Sequence, residues 1–109
     1  MESAGTGAPV VTDNTAASRY ELHVGAELAG FVTYQLRNHD TVISLLHTEI
    51  EPAFQGAGLA AHLARYGLDD ARKRGLAVLP FCPYIRSWIK KHPEYTDLVP
   101  DASRGDFDL

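Results

Sequence analysis

The sequence predicts one small α/β domain, in which a mixed sheet of about four strands packs against two main helices. Three observations predict this fold class: the chain has 109 residues, its first half alternates polar and apolar residues, and a helical apolar period begins after Gly58. A chain of this length is too short for two domains of ordinary size. We therefore expect a single hydrophobic core between the sheet and the helices.

Composition and charge narrow the classes of function. Ten Lys and Arg against 14 Asp and Glu give a net charge of −4, which argues weakly against general nucleic-acid binding because phosphate contacts need a concentrated basic surface. No apolar stretch approaches the roughly 18 residues that cross a bilayer, and the N-terminus lacks a signal-peptide pattern. We expect a cytoplasmic protein without a membrane partner. The single cysteine and the spacing of the histidines predict no metal site.

The chain divides into an arm, a domain and a tail. Residues 1–18 are rich in small and polar residues without a sustained apolar period, which predicts a flexible N-terminal arm. Residues 19–99 carry the patterned segments and form the predicted domain. From Glu94 onward the apolar period fades and four aspartates follow, so residues 100–109 are predicted to form an acidic, partly ordered tail.

Period-two alternation predicts a hairpin at the start of the domain. Arg19–Val24 alternates polar and apolar residues, and Leu28–Leu36 is rich in β-branched and aromatic residues. The short segment Gly25–Glu27 between them is suited to a tight turn.

A third strand is predicted from Val42 to Ile50, where Pro52 stops the ladder. Both of its sides are apolar over much of its length, so we place it in the centre of the sheet. Strict alternation assigns one face of this strand to Ile43, Leu45, His47 and Glu49.

The second half of the chain is read as helix, strand and helix. An amphipathic helix runs to about Arg74, and Gly75 fits the position just past its end. Leu76–Cys82 is a short apolar strand, which a right-handed crossover places parallel to the third strand. Pro83 begins the second helix and Pro93 ends it.

The segment Gln55–Ala60, between the central strand and the first helix, carries the strongest functional signal. Its small residues let a ligand approach the main chain where the first helical N–H groups are unpaired, and the helix dipole attracts anions such as a pyrophosphate. A tight turn that allows close helix packing explains the glycines equally well. The segment lacks the lysine of a P-loop, and the next strand ends without the acidic residue of a dinucleotide fold.

Several motifs together resemble the GNAT superfamily of N-acetyltransferases. Gln55-x-x-Gly58-x-Ala60 is similar to the Arg/Gln-x-x-Gly-x-Gly/Ala signature of that superfamily. The resemblance extends to a small single-domain branch through His47-Thr48-Glu49, Leu79–Pro83 and His92–Tyr95, and it covers roughly residues 19–99. It implies an abbreviated GNAT-like sheet, because ordinary members carry a helical region where this chain has only a turn between its first two predicted strands.

The resemblance implies acetyl-CoA as the ligand and transfer of its acetyl group to an unidentified amine, on a small molecule or a protein. It places the pyrophosphate on the loop amides and the pantetheine arm beside the third strand. The cofactor-binding residues expected on this basis are Thr48, Ile50, Gln55, Gly56, Ala57, Gly58, Leu59 and Ala60. The oligomeric state stays open.

Four residues are candidates for the transfer step. His47 is the preferred general base because imidazole titrates near neutral pH, and Glu49, two residues on, either orients it or binds the amine. Cys82 is the only possible thiol nucleophile, and Tyr84 is a candidate to protonate the departing CoA thiolate. A core histidine, a solvated carboxylate, a buried thiol and a packed tyrosine are the corresponding structural explanations.

Direct attack in a ternary complex is expected, because the resemblance implies it more often than an acetyl-enzyme on Cys82. The alternative class of function is a CoA-binding or protein-interaction module with little or no catalytic turnover.

Overall fold

The structure is a computed structural model that describes residues 8–109. One five-stranded sheet has its strands in the order β1-β2-β3-β4-β5. The strands are β1 (Pro9–Asn14), β2 (Arg19–Val24), β3 (Glu27–Arg37), β4 (Val42–Ile50) and β5 (Ala77–Pro80). The helices are α1 (Ala60–Lys73), α2 (Pro83–Lys91) and α3 (Asp101–Arg104), and short 3-10 turns connect several of these elements.

The mixed sheet confirms the predicted α/β fold class. β1 to β4 are antiparallel neighbours, and β5 is parallel to β4, as the crossover through α1 requires. The predicted hairpin is present as β2 and β3, which turn at Gly25 with a φ of 62°. β5 is shorter than the predicted strand, so Cys82 lies beyond the ladder and immediately before α2.

The N-terminal segment forms a fifth strand where the sequence predicts a flexible arm. β1 pairs with β2 along its whole length, from Pro9 opposite Val24 to Asn14 opposite Arg19. Its inward contacts are partly polar: the hydroxyl of Tyr34 donates to Asp13 at 2.6 Å. A strand held partly by a polar contact shows no alternation of apolar residues, so the sequence pattern does not predict it. The remaining part of the predicted arm, residues 1–7, lies outside the described residues.

The C-terminal segment is also more regular than the predicted tail. Pro93–Leu98 and Gly105–Phe107 are 3-10 turns that flank α3. The ring of Phe107 is buried and lies 5.3 Å from the ring of Phe81, edge to face. Phe107 is the one buried side chain among residues 100–109, and a single residue creates no periodic signal.

Two helices cover one face of the sheet. α1 has 14 residues and ends at Lys73, and α2 begins at Pro83, both close to the predicted bounds. α1 is in contact with β2, since a Cβ added at Gly67 would lie 3.4 Å from the ring of Tyr20. Within residues 8–109, no helix is both long and apolar enough to span a membrane.

The two faces of the sheet differ sharply in burial. We call the face beneath α1 the covered face, and its side chains are almost fully buried: Tyr20, Leu22, Val24, Val32, Tyr34, Ile43 and Leu45. We call the opposite face the open face. Apart from Ser44, which is fully buried, its side chains are half-buried or exposed: Arg19, Glu21, His23, Phe31, Thr33, His47 and Glu49.

A β-bulge in β4 decides which of its residues lie on each face. Leu45 pairs with Tyr34 but the next pair joins His47 to Thr33, so Leu46 is an extra residue in the strand. Tyr34 lies on the covered face and Thr33 on the open face. The bulge therefore reverses the alternation between Leu45 and His47.

This bulge corrects the predicted face of the central strand. The sequence assigns one face to four residues, but the first two lie on the covered face and the last two on the open face: Ile43, Leu45, His47 and Glu49. A strict period of two cannot reveal an inserted residue, because the insertion is visible only in the pairing with β3.

The segment after α2 fastens the two helices together. The hydroxyl of Tyr95 donates to Asp69 at 2.6 Å, and Arg72 donates to both carboxylate oxygens of Asp97 at 2.9 Å. His92 stacks on the ring of Trp88 with centroids 3.8 Å apart. The motif His92–Tyr95 thus holds α2 against α1, which fixes the position of the residues at the start of α2.

Candidate functional site

A cleft of about 280 Å³ opens between the end of β4, the following loop and the starts of α1 and α2. Six of the eight predicted cofactor-binding residues line it: Ile50, Gln55, Gly56, Gly58, Leu59 and Ala60. Ala57 belongs to the same loop. Thr48 lies two residues before Ile50 on the covered face, as its pairing with Val32 shows. The predicted binding residues are therefore brought together at one cleft.

The loop glycines provide backbone conformation and open space. Gly56 and Gly58 have φ angles of +84° and +71°, which L side chains rarely adopt. A Cβ added at either position would meet nothing within 4 Å. Close helix packing therefore does not explain these two glycines. Gly67, against Tyr20, is the glycine of α1 that contacts the sheet.

The start of α1 presents unpaired backbone donors to this cleft. No side chain caps the helix, and its first turn holds no acidic residue. Across residues 8–109, the amides of Gly56, Ala57 and Gly58 donate to no backbone carbonyl outside the regular elements. No carboxylate lines the cleft. Free N–H groups at the positive end of a helix dipole attract an anion, so the local electrostatics suit a phosphate group.

Gln55 fixes the loop to the end of β4. Its side-chain Nε2 donates to the carbonyl of Ile50 at 3.0 Å, and its backbone N–H donates to Pro52 at 3.4 Å. These bonds close the turn that carries Gly56 and Gly58. The side-chain amide of Gln55 therefore holds the loop in place, beside its position in the lining of the cleft.

β4 and the residues that follow β5 separate next to the cleft, and we call the space between them the gap. The β4–β5 ladder ends at the pair Leu45 and Pro80, and the N–H of Cys82 donates to the carbonyl of Leu45 at 2.9 Å. One step further along β4, the hydroxyl of Thr48 lies 3.2 Å from the thiol of Cys82. Cys82 is only 3% exposed, so this contact closes the gap from inside.

Tyr84 lines the same cleft from the start of α2. Burial raises the pKa of the Tyr84 hydroxyl, and the neighbouring Cys82 raises it further. Tyr84 therefore keeps its proton at neutral pH and has an O–H donor available beside the cleft. Of the four predicted catalytic residues, Cys82 and Tyr84 are the two near the cleft.

His47 and Glu49 form a pair on the open face. Nε2 of His47 lies 3.2 Å from Oε1 of Glu49, and their side chains are 62% and 54% exposed. The structure confirms that the two side chains share one face of β4. That face is opposite to the one that carries Thr48 and the cleft, so a reaction between them must pass beside β4 on the Ile50 side of the Thr48–Cys82 contact.

Residues 19–98 match the sequence model of the GCN5-related N-acetyl-transferase family. The chain belongs to this family. Curated relatives include Protein NATD1 of Homo sapiens, 36% identical over 52 residues that cover 48% of this chain and 46% of the relative. Protein NATD1 of Gallus gallus is 36% identical over 52 residues, which cover 48% of this chain and 47% of the relative. Protein NATD1 of Danio rerio is 32% identical over 59 residues, which cover 52% of this chain and 54% of the relative. The chain spans about half the length of the curated relatives it matches.

The fold of this GCN5-related N-acetyl-transferase domain is abbreviated on the open face. β2 and β3 are joined by a two-residue turn, which leaves His47 and Glu49 without a helix above them in the described part of the chain. Sequence reasoning missed Phe54 and Ala61, which also line the cleft. Both residues flank the segment Gln55–Ala60, and this position could have indicated that they belong to the cleft. It also missed Leu46, whose exposure depends on the bulge.

Proposed function

We propose that this chain is an N-acetyltransferase that moves the acetyl group of acetyl-CoA to an amine by direct attack. The observation that carries the proposal is the open, uncapped loop at the cleft, where Gly56 and Gly58 leave free space above unpaired amides. Membership of the GCN5-related N-acetyl-transferase family supports the choice of acetyl-CoA among phosphate-bearing ligands.

The residues present fit this cofactor. The amides of Gly56 to Ala60 are available to the diphosphate, and a Cβ at either loop glycine would fill the space it needs. Ile50 and Leu59 provide apolar lining for the pantetheine arm. Acetyl-CoA, when bound, supplies an activated acetyl thioester. The chain itself orients that group and excludes water from the inner end through buried Cys82.

The acceptor amine approaches from the open face in this proposal. His47 takes the proton from the attacking amine, and Glu49, 3.2 Å away, orients the imidazole. Tyr84, on the cofactor side, donates its proton to the departing thiolate. Base and acid thus act from opposite faces of β4, on either side of the gap.

A second function, a CoA-binding module with little turnover, is supported by a different observation. The side chain of His47 is 62% exposed, and no helix covers this face in the described residues. Solvent competes for an acceptor that is held on an exposed surface, because small ligands normally lose most of their exposed area on binding. The cleft alone is sufficient for this second function.

The two functions are separated by measuring CoA release from acetyl-CoA across a panel of amines, for the wild type and His47→Gln. If His47 is the base, the substitution lowers kcat/KM by roughly 10²–10⁴-fold and leaves acetyl-CoA affinity unchanged. His23→Gln is the matched control, since His23 lies on the same face beside Glu21. Binding of acetyl-CoA without release of CoA for any amine would contradict the enzyme and favour the binding module.

A further inference from the structure

The gap beyond the cofactor cleft has a defined floor. Ile50 and Tyr84 line the cleft, and Thr48 is the next residue of β4 on the covered face. A strand rises about 3.3 Å per residue, so Thr48 lies roughly 6.6 Å beyond Ile50. The part of an acyl-CoA that follows the pantetheine arm therefore meets Thr48.

Two features leave no space behind Thr48. Its hydroxyl lies 3.2 Å from the thiol of Cys82, which bridges the gap between β4 and the start of α2. Directly behind this contact, Leu45 and Pro80 are paired and fully buried, and the N–H of Cys82 is bonded to the carbonyl of Leu45. The sheet is closed from this point onward.

We propose that Thr48 and Cys82 form the end wall of the acyl site and select acetyl-CoA against acyl-CoA molecules with longer chains. The inference rests on the proposed function, because it requires that the cleft binds acyl-CoA. A longer chain must separate Thr48 from Cys82 and strain the bond between Cys82 and Leu45. Overfilling a closed, packed site is unfavourable, and specificity of this kind arises from the clash itself.

The selection predicts a graded series of affinities. A single methylene group changes binding in a closed apolar site by roughly 10–200-fold. Wild-type protein is therefore expected to bind acetyl-CoA at least about tenfold more tightly than butyryl-CoA, with propionyl-CoA between them. Free CoA, which has no acyl chain, escapes the penalty.

The test is isothermal titration calorimetry of wild type, Cys82→Ala and Thr48→Ala with free CoA and with acetyl-, propionyl- and butyryl-CoA. Each variant removes part of the wall, so the ratio of the butyryl-CoA to the acetyl-CoA dissociation constant should fall by about tenfold. Thr33→Ala is the matched control, because it removes the same atoms as Thr48→Ala from the open face. A purely nucleophilic Cys82 would alter acyl transfer and leave this ratio unchanged.

The dissociation constants distinguish a failure of the proposed wall from a failure of the proposed function. Equal affinities of wild type for all acyl-CoA molecules overturn the proposed wall, as does a ratio that neither wall variant changes or that Thr33→Ala changes equally. Absence of binding to any of the four compounds, free CoA included, overturns the proposed function together with the wall. The fluorescence of Trp88, the single tryptophan, reports whether each variant is folded. The two wall variants test the same ratio independently.

Discussion

The covered and open faces of the sheet differ in how deeply their side chains are buried. On the covered face Tyr20, Leu22 and Ile43 are completely buried beneath the helices. On the open face His47 and Glu49 are more than half exposed. Both sets of side chains belong to neighbouring strands of one sheet. What separates them is the direction in which each residue faces.

β4 contributes side chains to both faces. Before its bulge, Leu45 faces the core, and after the bulge Thr48 lies on the covered face while the exposed His47 lies on the open face. Substitutions on the covered face should therefore change stability, and substitutions on the open face should change only the chemistry that depends on them.

The largest effect is expected for Ile43→Ala on the covered face. Ile43 is fully buried, so the substitution removes buried methyl groups and leaves a cavity, at a cost of about 2–5 kcal/mol in the free energy of unfolding. Urea denaturation followed by the fluorescence of Trp88 measures this loss. Thr33→Ala on the open face should change the same free energy by less than about 0.5 kcal/mol. Equal losses for the two variants would contradict the division.

A smaller effect is expected when the covered face loses a polar contact. The hydroxyl of Tyr20 donates to Asp70 at 2.8 Å, and Asp70 also binds Arg74 at 3.0 Å. Tyr20→Phe leaves the carboxylate with one partner fewer, at a cost of about 1–3 kcal/mol. Tyr66→Phe is the control, because the Tyr66 side chain is exposed and packs edge-on against the Tyr20 ring. It should unfold at nearly the wild-type urea concentration.

Alkaline unfolding follows from the same tyrosines. Burial raises the pKa of Tyr20, and the bond to Asp70 raises it further. Burial raises the pKa of Tyr34 in the same way, with help from Asp13. A raised pKa in the folded state stabilises the fold below the unfolded value, near 10, and that stability is lost as the pH rises above it. Urea titrations between pH 8 and 11 should show a decline that is shallower in Tyr20→Phe.

The ion pair that fastens α1 to the segment after α2 should contribute still less. The bidentate bond from Arg72 lowers the pKa of Asp97, so its contribution is present above about pH 4 and lost as the pH falls. Both side chains are exposed, which limits the contribution to about 0.2–1 kcal/mol. Asp97→Asn should be less stable than wild type at pH 7, with a smaller difference at pH 3. Asp106→Asn should match wild type at both.

The smallest effect on stability is expected for Glu49→Gln. Its pair with His47 is exposed, so the free energy of unfolding should change by less than about 0.5 kcal/mol. If Glu49 orients the base, the same variant should lower the rate of acetyl transfer. A large loss of stability would show that the open face carries part of the core.

Features encoded by contiguous residues could be predicted from the sequence. Features that depend on how the strands pair could not. The loop Gln55–Ala60 could be located from sequence because its glycines and the helix after it are contiguous. β1 escaped notice because Asp13 anchors it with a polar bond to a residue of β3. The face of His47 could not be assigned, because the bulge at Leu46 exists only in the register with β3.

The Thr48–Cys82 contact illustrates the same limit. The two residues are 34 positions apart, and their side chains meet because the β4–β5 ladder ends at Leu45 and Pro80. The spacing of residues within β4, or within the segment after β5, does not predict this contact. Sequence reasoning could name both residues through the family resemblance, while their contact depends on the fold.

The central claim is that the amides of the loop after β4 bind the diphosphate of CoA, and CoA titration of Gly58→Glu and Gly75→Glu tests it most directly. Both glycines have a φ of +71° with nothing within 4 Å of an added Cβ, so the two variants carry the same backbone strain and the same charge at opposite ends of α1. We predict that Gly58→Glu weakens CoA binding by at least about 100-fold, because a carboxylate then opposes the diphosphate, and that Gly75→Glu stays within about threefold of wild type. Wild-type affinity in Gly58→Glu, or an equal loss in both variants, would contradict the claim.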